Sequence, residues 1–72
     1  MKKETIGTNA GIVWNTLNTQ YGKLTLEELY RLSGLNPIDL AAAIGWLARE
    51  DKVEFFQEEG INYIALYNER YY

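Results

Sequence analysis

The stretch GLNPIDLAAAIGWLAREDKV, residues 34–53, decides the fold. Asn36 followed by Pro37 reads as a helix start. Asn caps free N–H groups, and Pro suits the first helical position, whose N–H has no intrahelical partner. From Ile38 to Glu50 the only breaker is Gly45. Leu40, Ala41, Ile44, Leu47 and Ala48 fall on one helical face and predict its buried stripe. A mid-helix glycine costs about 1 kcal/mol relative to Ala. Gly45 therefore reads either as room for a neighbouring helix or as a tolerated imperfection.

Upstream, TLEEL at 25–29 announces a second helix. Thr25 is an N-cap candidate, and Glu28 three residues later completes a capping box. Leu26, Leu29 and Tyr30 share a face, and Gly34 stops the helix near Ser33. Gly34-Leu35-Asn36 then forms a tight corner into the third helix. Earlier still, TNAGIVWNTLNTQ at 8–20 spaces Ala10, Val13, Trp14 and Leu17 as i, i+3, i+4, i+7, the face of a first helix. Thr8 or Asn9 is its predicted cap, with Ile6 outside as a staple. Gly22 marks its end after Tyr21.

Downstream the period changes to two. Lys52–Glu58 and Ile61–Asn68 read as strands around Glu59-Gly60. A two-residue loop sets Phe55 opposite Ile64 and Val53 opposite Leu66, all on one predicted buried face. Phe56 then meets Tyr63, and Glu54 meets Ala65, on the other. Asn-Gly would be the stronger two-residue signal, so a three-residue loop is the alternative. Gly22-Lys23-Leu24 can supply a short third strand. The expectation is a single α+β domain over 1–72, ordered over about 6–67, with three helices followed by a β-hairpin.

The run LTLEELYRLSGLNPIDLAAAIGWLAREDKVEF resembles the core of bacterial and archaeal winged helix-turn-helix domains. NAGIVWNTLN together with AIGWLAREDKV is similar to a small family of stand-alone winged-helix domains of unassigned function. The likeness extends from Ile6 to Tyr67. It implies a winged helix-turn-helix fold, with the hairpin as the wing, and it brings no catalytic residue. This architecture serves DNA binding, protein contact and dimerisation alike.

Composition narrows the choice. The chain is 47% hydrophobic with net charge −3, two Trp, six Tyr, and no Cys or His. Disulfides and ordinary zinc sites are therefore excluded, and no cofactor is expected. No apolar run approaches the ~20 residues that span a bilayer. MKKETIGTNAG lacks the apolar stretch of a signal peptide, so a cytoplasmic location is expected. One core of this size supplies about 3–5 kcal/mol of stability, which leaves a role for a partner subunit.

Catalysis has little to work with. Ser33 is the only serine, and it sits at a helix end. Glu27-Glu28, Glu50-Asp51 and Glu58-Glu59 are sequence neighbours whose side chains diverge. The sequence predicts no enzyme.

DNA reading by helix 37–50 and the wing needs hydrogen-bonding side chains and cations. The third helix offers Asp39, Ala42, Ala43, Trp46, Arg49 and Glu50 off its apolar stripe. Ala42 and Ala43 can touch a thymine methyl and nothing more. Arg49 and Lys52 are the candidate phosphate contacts, and the wing tip Glu58-Glu59-Gly60 is acidic. Each neutralised phosphate adds only about 0.9 to the salt slope, so two or three cations supply little affinity.

The competing expectation is protein contact, most simply a homodimer. Ala42, Ala43 and Trp46 form a smooth flank with an aromatic anchor, and Phe56 and Tyr63 place two rings on the outer wing face. Trp46 also fits simple packing over the wing, and the alanines fit plain helix propensity. Tyr71-Tyr72 reads as a frayed terminus.

Overall fold

Local capping places the elements. In the computed structural model, residues 1–20 and 22–67 are described. They form α1 (Lys3–Gln20), β1 (Leu24–Thr25), α2 (Leu26–Ser33), α3 (Pro37–Arg49), β2 (Val53–Glu58) and β3 (Ile61–Leu66). This is an α+β winged-helix fold, three helices followed by an antiparallel hairpin. Tyr21, the expected strand end at Asn68 and the Tyr71-Tyr72 terminus lie outside the described residues.

The α2 capping box forms on both sides. The Glu28 N–H donates to Thr25 Oγ1 at 3.0 Å, and the Thr25 N–H donates to Glu28 Oε1 at 2.8 Å. Gly34 ends α2 in the left-handed region at φ +75°. Asn36 caps α3, accepting from the Asp39 N–H at 2.8 Å, with Pro37 in the first turn.

α3 ends in a bonded loop that launches the hairpin. The Asp51 N–H donates to Ala48 O and the Lys52 N–H to Leu47 O. Asp51 itself takes φ +57°, the position that glycine most often fills in this motif.

α1 begins earlier than expected, at Lys3 rather than near Thr8. Thr8 is not its cap. Its hydroxyl donates back to Glu4 O at 3.0 Å, inside the helix. Asn9 is buried in mid-helix, and Ile6 is a helical residue instead of an outside staple. Glu4 lies in the first turn, where the helix dipole favours a carboxylate.

The hairpin follows the expected register. Val53 pairs with Leu66, Glu54 with Ala65, Phe55 with Ile64 and Phe56 with Tyr63, around a two-residue turn. Glu59 and Gly60 both have positive φ, as a type I′ turn requires. β1 joins as a short third strand through Leu24–Ile64 and Thr25–Tyr63, giving the order β1-β3-β2.

The core gathers Ala10, Val13 and Leu17 of α1, Leu24, Leu29, Leu40, Ala43 and Leu47, then Val53 and Ile64 of the sheet. Three expectations about burial are corrected. Ala41 is exposed, and Ala43 takes its place in the core. Trp14 stands at the surface and not inside. Phe55 does not join the buried face: on the edge strand β2 it is left more than half exposed.

Candidate interaction surface

The outward face of α3 is apolar. Ile38, one residue into the helix, is 70% exposed, and Trp46 is 45% exposed. Ala41 and Gly45 are exposed between them, and Arg49 closes the helix as its basic residue. Around this face and the wing, Arg49, Lys52 and Lys23 stand among Asp39, Glu50, Asp51, Glu54, Glu58 and Glu59, six carboxylates to three cations. Asp39 accepts a hydrogen bond from the Asn36 side-chain amide at 3.0 Å, which holds its carboxylate at the start of α3.

α1 and α3 flank an open groove of about 320 Å³. Trp14 and Trp46 line it from opposite helices, with Gly7 and Gly11 on α1 and Glu50 and Lys52 at the hairpin end. The three helical glycines, Gly7, Gly11 and Gly45, have open space where a Cβ would stand. Gly45 therefore makes no room for a helix of this chain. A second, wholly apolar groove of about 240 Å³ runs between α2 and α3, lined by Leu26, Tyr30, Pro37, Leu40, Ala41 and Ile44.

The expected interface residues fall in different settings. Trp46 is a groove wall. Ala42 is half-buried beside it. Ala43 is 0% exposed and packs in the core, so it cannot meet a partner; that expectation is corrected. The inward face keeps Leu40, Ile44, Leu47 and Ala48 of the expected stripe and takes Ala43 in place of Ala41.

Phe56 and Tyr63 pair across the hairpin on the outer sheet face. The Tyr63 ring is already engaged there. Lys23 Nζ lies 4.7 Å from its centroid and forms an ion pair with Glu58. Arg49 and Lys52 are both exposed, and Lys52 contributes to the tryptophan groove.

Sequence reasoning missed Trp14 and Phe55 as surface rings. Both sit on correctly periodic faces. The missing signal is how far each element extends beyond its neighbours. Among the described residues, no buried side-chain polar atom lacks a partner, and no group of acidic residues is arranged to hold a metal ion. No described helix is long and apolar enough to cross a membrane.

Three helices, a corner of tight turns and a wing define the winged helix-turn-helix class. The chain matches the family described as Winged helix-turn-helix domain (DUF2582) over residues 1–66, and it belongs to that family. It is 36% identical over 55 residues to the uncharacterized protein MJ1608 of Methanocaldococcus jannaschii, covering 75% of this chain and 79% of that one. It is also similar to the solution NMR structure of protein BT2368 from Bacteroides thetaiotaomicron. The TM-score is 0.79 at 39% identity, over 92% of this chain and 79% of that chain.

Proposed function

We propose that this chain is a non-enzymatic winged-helix module that acts through protein contact, most simply by pairing with a second copy of itself. One observation carries the reading. The outward face of α3, the helix that enters the major groove in winged-helix DNA readers, offers Ile38, Ala41, Gly45 and Trp46 where base readout needs donors and acceptors. Large exposed rings are enriched at protein interfaces, and an apolar face on so small a body is stabilised by being covered.

DNA binding through helix 37–50 and the wing is the second reading. Membership of a winged helix-turn-helix family favours it, and the six-to-three excess of carboxylates opposes it.

Two measurements separate the readings. Sedimentation equilibrium across a wide concentration range reports self-association. A fluorescence titration with random duplex DNA at low salt reports the polyanion, taken past the usual non-specific Kd range of about 10⁻⁶–10⁻⁴ M. Dimerisation without DNA binding is the expected result. Saturable DNA binding that weakens steeply with salt overturns the primary reading.

A further inference from the structure

We infer that two copies pair antiparallel along β2, about a two-fold axis at Phe55, so that their two three-stranded sheets continue as one. The inference rests on the homodimer reading and places the pairing on the β2 edge, a surface apart from the outward face of α3.

The backbone identifies the open edge. β2 is the outer strand of the order β1-β3-β2, and among the described residues nothing pairs with its far side. Lys52 lies opposite Tyr67 in continuation of the Val53–Leu66 register, and the Tyr67 N–H donates to Lys52 O at 2.9 Å. Bonded and non-bonded pairs alternate along an antiparallel ladder. Lys52, Glu54, Phe56 and Glu58 therefore turn their backbone groups toward β3. Val53, Phe55 and Gln57 turn theirs outward. No Pro or bulge blocks this edge; the protection it carries is charge, Glu54 and Glu58, which any pairing must accommodate.

Symmetry and charge choose the register. A two-fold pairing sets the residue at the axis opposite itself. An axis at Glu54 brings two Glu54 carboxylates face to face, and an axis at Phe56 sets Glu54 opposite Glu58 twice. Like charges directly opposite destabilise a ladder.

An axis at Phe55 has no such conflict. Phe55 meets Phe55 of the second copy, Val53 meets Gln57, and Glu54 meets Phe56. Lys52 meets Glu58 at both ends, as opposite charges, so that Glu58 stands between Lys23 of its own chain and Lys52 of the other. This register also bonds all three outward-facing residues, whereas the other two bond only two of them. It gives the exposed Phe55 ring an aromatic neighbour on the same sheet face. Lys52 also lines the tryptophan groove, so the pairing brings the second copy's wing tip to the groove's rim.

The chain has no cysteine, so Phe55→Cys introduces a single reporter thiol. A bonded antiparallel pair holds its Cα atoms about 5.5 Å apart, within disulfide reach. In a glutathione buffer, Phe55→Cys is expected to form a disulfide dimer at least about tenfold more readily than Ile61→Cys, whose thiol is also exposed but lies on β3. Lys52→Glu should weaken association by about tenfold with circular dichroism unchanged, and the full charge swap Lys52→Glu with Glu58→Lys and Lys23→Glu, which keeps the ion pair of Glu58 with Lys23 in reversed form, should restore it.

A dimer seen by sedimentation that neither cross-links preferentially at position 55 nor responds to Lys52→Glu overturns this pairing and leaves the homodimer standing. A chain that stays monomeric at every concentration overturns both.

Discussion

Phe55 and Ile64 stand directly opposite each other on one face of the hairpin, yet Ile64 is fully buried and Phe55 is 56% exposed. The difference lies in their strands. β3 is central, with β1 on one side and β2 on the other, and Ile64 projects onto the helices. β2 is an edge with a strand on one side only, and Phe55 is not among the residues of the core. Ile64→Val should therefore destabilise the chain by about 0.5–1.5 kcal/mol. Phe55→Thr, which keeps strand propensity, should cost less than about 0.5 kcal/mol in dilute solution. Urea denaturation of both variants at low protein concentration checks the contrast. Equal losses would place Phe55 in the monomer core.

Two non-glycine residues hold positive φ, Asp51 at +57° and Glu59 at +52°. Both begin or close the hairpin, and both leave stability in reserve. Asp51→Gly should stabilise by about 0.5–1 kcal/mol, because the left-handed region costs glycine little. Glu59→Asn should stabilise by a similar margin of about 0.5 kcal/mol, since Asn-Gly is the preferred type I′ pair. Gly60→Ala should do the reverse. Thermal melts of the three variants give the sign directly, and a destabilising Asp51→Gly would contradict this account of the corner.

Much of this geometry was legible from short-range chemistry. Thr25 with Glu28 and Asn36 with Pro37 each specify their own backbone and are found as read, and of the two loop lengths open at Glu59-Gly60 the two-residue one is found. The errors arise where residues are chemically ambiguous. Thr8 and Asn9 are cap-type residues, but α1 uses them internally, one bonding back to Glu4 O and the other buried. Ala41, Ala42 and Ala43 offer no contrast in polarity. Each step turns the helix by about 100°, so the choice between Ala41 and Ala43 for the core could not be read from the residues. The surface rings Trp14 and Phe55 have the right period for burial, and period reports a face without reporting where its cover ends.

Gly45 separates stability from association. A Cβ there meets open space, and the glycine lies inside α3. Gly45→Ala should raise stability by about 0.5–1 kcal/mol through helix propensity alone. Gly11→Ala in α1 should behave alike. If the flank beside Trp46 receives another chain closely, Gly45→Ala will also weaken self-association while it strengthens the fold. Chemical denaturation and sedimentation on the same sample read the two effects independently. A stabilised variant with unchanged association removes this flank from the interface.

Trp46 gives the sharpest division between core and contact. Its ring is nearly half exposed and faces Trp14 across the α1–α3 groove. Truncating a buried Trp costs about 3–5 kcal/mol, close to the whole margin of a chain this size, so a core Trp46→Ala would unfold. An interface anchor behaves differently. Its loss costs at least about 2 kcal/mol of binding, roughly a thirtyfold weaker dimer, and leaves the monomer folded. Trp14 remains in the variant as a fluorescent reporter of folding. The expected outcome is a native-like Trp14 signal and a cooperative melt, with the association equilibrium shifted to monomer. Because Trp46 shares its groove with Lys52, the loss should be less than additive with Lys52→Glu if both act at one contact. Strict additivity would make the tryptophan groove and the β2 edge independent contributors to the association, and an association unmoved by Trp46→Ala would remove the groove from it.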